Sequence, residues 1–97
     1  MHFVYIVRCA DGTLYTGYAR DPLARERAHN SGRGAKYTAG RRPVRLVYRE
    51  GFRSLGKALA REYAVKQLTR AQKDGLIDRG SKFKVQRSRF RTVNREP

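Results

Sequence analysis

The stretch FVYIVRCADGTLYTGYA, residues 3–19, decides the fold. Phe3 to Arg8 places β-branched and aromatic side chains at both parities, the pattern of a strand covered on both faces and therefore central in its sheet. Leu14 to Ala19 repeats that chemistry, and Ala10-Asp11-Gly12 between the two runs is turn chemistry, so the segment reads as an antiparallel β-hairpin. In such a pair, directly opposed residues have numbers of constant sum and share a face. A two-residue Asp11-Gly12 loop makes the sum odd and splits Tyr5 and Tyr15 across the sheet. A three-residue loop, Ala10 to Gly12, makes it even and puts both on one side.

Outward from the hairpin, Asp21-Pro22 supplies an N-cap and a proline at the first helical position, which predicts a helix to about Asn30, closed by Asn30-Ser31-Gly32. A basic, Gly-rich loop follows, SGRGAKYTAGRR, from Ser31 to Arg42. Pro43 opens a third strand, Val44 to Arg49. From Ser54 a long helix carries Leu55, Ala58, Leu59, Val65 and Leu68 at helical spacing, and a further helical segment covers Ala71 to Ile77. The order ββαβα(α) predicts an α/β (α+β) architecture: a small three-stranded antiparallel sheet flanked by helices.

Length allows one domain, expected over residues 1–78, and a hydrophobic fraction of 39% with 10% aromatics is enough for a core. A single cysteine, Cys9, excludes an internal disulfide and a Cys-rich zinc site. The N-terminal apolar run spans only Phe3 to Val7, too short for a secretory signal or a membrane span, so a cytoplasmic protein with no membrane partner is expected. The formal net charge of +15, from 23 Lys and Arg against 8 Asp and Glu, points to a polyanion. Residues 79–97 hold seven basic side chains and one acidic, and are expected to form a mobile basic arm.

Three ionisable residues stand out. Glu62 lies four after Ala58 and three before Val65, which puts a carboxylate on the apolar stripe of the long helix. Such a group needs a partner, and two readings stand: an ion pair with an Arg or with Lys66 one turn on, or a metal ligand. Arg25 and His29, four apart on the first helix, project from one face, where a guanidinium fork suits a phosphate and an imidazole can donate, accept or bind a metal.

Phe3-Val4-Tyr5 and Tyr15-Thr16-Gly17 resemble the paired motif of the GIY-YIG nuclease superfamily. The resemblance continues in register through Asp21, Arg25 and His29-Asn30, Gly34-Ala35-Lys36-Tyr37-Thr38, Arg42-Pro43-Val44 and Ala60-Arg61-Glu62-Tyr63. It covers about residues 2–78 and is nearest to the small stand-alone bacterial YhbQ-like members. Glu26 and Arg27 stand where the family helix usually has an apolar residue, which is expected to alter how that helix docks, and no Asn follows Ile77 where many family nucleases place one.

The resemblance implies a divalent-metal-dependent DNA endonuclease, structure-selective and acting in DNA repair or recombination, with Mg²⁺ or Mn²⁺ as cofactor. In that reading Glu62 holds the metal and Arg25 neutralises the scissile phosphate. Tyr5 and Tyr15 position or deprotonate the attacking water, and His29 assists at the same phosphate. Lys36, Tyr37, Arg33, Arg41 and Arg42 are the expected nucleic-acid contacts. The chemistry agrees with this set: a phosphodiester resists hydroxide unless positive charge is supplied where negative charge develops, and Mg²⁺ suits one carboxylate completed by water. The residues leave open whether a tyrosine or His29 is the base, and a non-catalytic DNA- or RNA-binding module is the alternative. A shared tyrosine site requires the three-residue hairpin loop, with Gly12 left-handed.

Overall fold

The computed structural model describes residues 1–84 and, within its last helix, the side chains only as far as Gly80. Strands β1 (His2–Arg8) and β2 (Leu14–Ala19) form the hairpin, and β3 (Arg45–Phe52) adds to the other edge of β1. The sheet is antiparallel throughout in the order β2-β1-β3, so β1 is central, as its two-faced apolar pattern requires. The pairs Tyr5↔Gly17 and Val7↔Tyr15 give the even sum. The loop is closed by Cys9 N–H to Thr13 O at 2.8 Å and Gly12 N–H to Cys9 O at 2.9 Å, with Gly12 at φ 87°, and Asp11 accepts from both Thr13 N–H and its hydroxyl. Tyr5 and Tyr15 therefore share a face.

Helices cover both sides. Val4 and Ile6 pack with Val65, Leu76 and Ile77 of α3 (Leu55–Lys66) and α4 (Arg70–Lys84) in one cluster. Tyr5, Val7, Cys9, Ala19 and Val44 form the other, on the side covered by α1 (Pro22–Asn30) and α2 (Lys36–Ala39). Residues 3, 5, 7 and 4, 6 separate because alternate side chains leave opposite faces of a strand. In α1, Asp21 caps Ala24 N–H at 3.2 Å and Pro22 sits in the first turn, as expected.

Several elements differ from the sequence expectation. The basic loop contains the helix α2, four residues long and too short to carry a period. The third strand begins one residue late because Val44 is held by a side chain instead of a neighbouring strand: Asn30 Oδ1 accepts from its N–H at 2.6 Å and Asn30 Nδ2 donates to its carbonyl at 3.0 Å. The strand then runs on to Phe52, since Glu50 meets Arg61 at 2.9 Å and Tyr48 at 3.1 Å and so is tolerated within the sheet. Leu55 and Leu59 are not core residues. They are 46% and 43% exposed, and α3 meets the sheet along the narrow line of Ala58 and Val65. Glu26 accepts from Leu46 N–H of β3 at 2.7 Å, which ties α1 to the sheet edge. The last helix passes the expected boundary at Asp78 and continues to Lys84; the rest of the expected arm, 85–97, lies outside the described residues.

Candidate active site

The second cluster is centred on a polar residue. His29, at the end of α1, has no exposed surface, and Tyr5 beside it is 1% exposed. Burial of an imidazole is tolerated when both ring nitrogens are satisfied. Here Nε2 is hydrogen-bonded to Tyr5 Oη at 2.9 Å and Nδ1 to Thr38 Oγ1 at 2.7 Å. Tyr15 presents its ring edge-on to His29, with centroids 5.4 Å apart.

Two glycines make this packing possible. A Cβ at Gly17 would lie 2.6 Å from Tyr5 Oη, so the residue opposite Tyr5 has to be glycine for the phenol to cross β2. A Cβ at Gly34 would lie 2.7 Å from His29 Cα and would also strike its ring.

Arg25, one turn before His29, completes the group. Burial pushes the Tyr5 phenol above its ordinary value of 10, and the Arg25 guanidinium beside it pulls in the opposite direction, with smaller raising effects from Tyr15 and the Glu62 carboxylate. Burial, and secondarily the charge of Arg25, holds His29 below 6.5, so its ring is neutral at pH 7. Tyr5, Tyr15, Arg25 and His29 thus stand together, with Glu62 near enough for its charge to act on Tyr5.

Glu62 is about one-fifth exposed at its side chain and pairs with Lys66 Nζ at 3.2 Å, the i,i+4 contact expected on a helix. Among the described residues no group of three or more His, Cys, Asp and Glu side chains is placed to hold a metal. Glu62 would offer a metal a single carboxylate, which fits Mg²⁺, an ion that keeps several waters and takes one or two carboxylates. The Lys66 pair is half-exposed and weak enough to be displaced.

The remaining expected contacts divide. Arg33 and Lys36 are exposed. Tyr37 stacks on Tyr15 at 5.9 Å and lies under the Arg41 guanidinium, 4.0 Å from its centroid. Arg41 also binds Asp11 Oδ2 at 3.0 Å and the Tyr37 carbonyl at 2.8 Å, which ties the hairpin tip to α2. Arg42 donates to the carbonyls of Ala39 and Asn30 at 2.9 and 3.3 Å. Arg41 and Arg42 thus hold the loop together. Two residues that sequence reasoning missed belong here: Thr38, buried behind His29, and Arg49, which pairs with Tyr5 in the β1–β3 register and so shares its face.

The sheet with two tyrosines on one face, the arginine one turn before a buried histidine and the carboxylate on α3 stand in a domain of the GIY-YIG family, to which the chain belongs: the model of the GIY-YIG catalytic domain matches residues 1–74. Its relatives are small bacterial UPF0213 proteins. One from Staphylococcus epidermidis is 58% identical over 79 residues, 81% of this chain and 96% of that protein, and one from Staphylococcus aureus is 59% identical over 76 residues, 78% and 93%. The solution structure of the UPF0213 protein of Bacillus halodurans is 47% identical, covers 84% of this chain and 88% of its own, and has a TM-score of 0.55. A protein from E. faecalis is 38% identical over 95% and 94%, with a TM-score of 0.56. The fold is that of these neighbours, and the family is one of nucleases.

Proposed function

We propose that the protein is a divalent-metal-dependent endonuclease that hydrolyses phosphodiester bonds in DNA. The observation that carries this reading is the Tyr5 hydroxyl, which has neutral His29 on one side and the Arg25 cation on the other. A phosphate placed against Arg25 has its charge neutralised in a partly desolvated site, where electrostatic stabilisation is strongest. Tyr5 would accept a proton from the attacking water as its own phenol proton passes to His29 Nε2. His29, fully buried, acts through Tyr5 and does not touch the substrate. Tyr15 bounds the site and keeps the His29 ring in place. Glu62 would hold Mg²⁺ or Mn²⁺, which when bound supplies positive charge to the phosphate oxygens and acidity to water.

The net charge of +15 supplies substrate affinity without sequence information, through Arg33, Lys36 and the basic residues beyond 84. A domain of this size has little surface for reading a long sequence, which favours selection by DNA shape, as repair and recombination intermediates offer. Among the described residues no helix is long and apolar enough to cross a membrane.

The test is cleavage of duplex, single-stranded, flap and four-way-junction DNA with Mg²⁺ or with chelator. Wild type should cut only with metal, and Arg25→Ala should bind within a few-fold of wild type yet fail to cut. Metal-dependent cutting by Arg25→Ala at the wild-type rate overturns the assignment. Binding by wild type without cutting of any substrate would make the protein a nucleic-acid-binding module.

A further inference from the structure

We propose that Thr38 is a positioning residue that sets the tautomer of His29 and thereby turns the Tyr5 phenol proton inward. Three short contacts run in series from the site into the fold: Tyr5 Oη to His29 Nε2 at 2.9 Å, His29 Nδ1 to Thr38 Oγ1 at 2.7 Å, and Thr38 Oγ1 to the Ala35 carbonyl at 2.9 Å. The direction of the whole series is fixed at its far end. A carbonyl only accepts, so the single hydroxyl proton of Thr38 goes to Ala35. Thr38 Oγ1 then faces Nδ1 as an acceptor, and a 2.7 Å contact there is a hydrogen bond only if Nδ1 carries the proton. The ring is neutral, because burial and Arg25 both oppose its protonation, so Nε2 is bare and accepts from the Tyr5 phenol.

A competing arrangement would place the proton on Nε2 and let the Ala35 amide donate to Nδ1. That amide is 3.3 Å from Nδ1, longer than each link of the series and beyond the ordinary range for an N–H donor. The competitor also either turns the Thr38 proton to Nδ1, which empties the Thr38–Ala35 contact and gives Nδ1 two donors for one lone pair, or keeps it on Ala35 and sets two lone pairs against each other at 2.7 Å.

The consequence for chemistry rests on the proposed nuclease reading. With its proton turned toward His29, Tyr5 presents its lone pairs on the side of Arg25. It can thereby take a water proton as its own passes to the bare Nε2 of His29, and it is not a donor to the phosphate. A backbone carbonyl in the turn after α1 and a threonine on a four-residue helix decide this, although neither reaches the substrate.

The direct test is the tautomer of His29 in the full-length ¹⁵N-labelled protein, read at about pH 7.5, well above the ordinary histidine pKa, from long-range ¹H–¹⁵N correlations of the imidazole. The expected result is the Nδ1–H form; the Nε2–H form overturns the proposal. Thr38→Val removes the acceptor and leaves the Ala35 amide as the neighbour of Nδ1, so the ring should move to the Nε2–H form, whereas Thr38→Ser should keep Nδ1–H. A Thr38→Val ring that stays Nδ1–H overturns the role of Thr38. Should Thr38→Val not fold, the wild-type and Thr38→Ser spectra still decide. In cleavage assays Thr38→Val should lower kcat by roughly tenfold or more with little change in KM for DNA, and Thr38→Ser should restore it. Tautomers that behave as expected in a wild-type protein that cuts no DNA would refute the nuclease reading and leave the Thr38 assignment standing.

Discussion

Gly34→Ala should be among the most damaging single-methyl additions to this protein. The new Cβ would stand 2.6 Å from His29 Cγ and 2.7 Å from His29 Cα, against the roughly 3.5–4.0 Å of ordinary carbon contacts. The neighbour cannot yield cheaply. The imidazole is held at both nitrogens, by Tyr5 and Thr38, and its Cα belongs to the last turn of α1. Relief requires either the turn after α1 to move away or the ring to leave one partner. Overpacking costs about 1–3 kcal/mol, and a buried nitrogen left without its hydrogen bond costs a similar amount, so a loss of about 2–5 kcal/mol is expected. For a domain of this size each kcal/mol corresponds to roughly 4–8 °C, which makes a fall of roughly 10 °C or more in Tm. Thermal and urea unfolding followed by circular dichroism measures it. Gly40→Ala is the control: no atom lies within 4 Å of its Cβ and its φ of −93° suits alanine, so it should stay within about 0.5 kcal/mol of wild type. Equal stability of the two variants would refute the packing account of His29.

Further outcomes follow from charge and burial. His29 has a folded pKa below its ordinary 6.5, so the unfolded chain takes up a proton that the folded chain resists; stability is complete above pH 6.5 and falls as pH drops below it. That loss should be smaller in His29→Gln, with the half-buried His2, also lowered, retaining its own small share of the same sign. Tyr5, raised above 10, acts at the other end: the folded state loses stability as pH rises past 10, and Tyr5→Phe should flatten that limb in alkaline unfolding curves. Arg41→Ala removes a part-exposed ion pair and a cation–π contact and should cost about 1 kcal/mol, far less than Gly34→Ala. Truncation after Lys84 removes Arg87, Arg89, Arg91 and Arg95, and the slope of log K against log salt should flatten by roughly 0.9 for each phosphate that is no longer neutralised. An unchanged slope would mean that segment does not touch DNA.

The hairpin was legible because parity arithmetic links a loop of three residues to two tyrosines on one face, and α1 because Asp21-Pro22 marks its start. What escaped depends on contacts between distant positions. Thr38 sits on a helix too short for a pattern, and its role appears only when the chain brings it to His29, nine residues earlier. Glu26, an apparent misfit in α1, is explained by a backbone amide of β3, twenty residues on. Leu55 and Leu59 read as core from the sequence because a periodic stripe does not say how wide its partner is. The helix approaches the sheet along Ala58, and side chains beyond that line stay exposed. Of the two sequence readings of Glu62, the fold contains the ion pair with Lys66, and the carboxylate's charge also acts on Tyr5, while metal binding is the role proposed for it above.

The central claim is that one carboxylate with a metal, facing an arginine and a tyrosine, cuts a phosphodiester bond. Its most direct measurement is the cleavage rate of Glu62→Gln against wild type in Mg²⁺, with Tm and DNA affinity recorded for both. An amide in place of the carboxylate keeps the side chain's size and removes its charge, so Tm and binding should stay near wild type while cleavage falls by roughly 10² or more. Cleavage by Glu62→Gln at the wild-type rate, with the same metal requirement, would contradict the account.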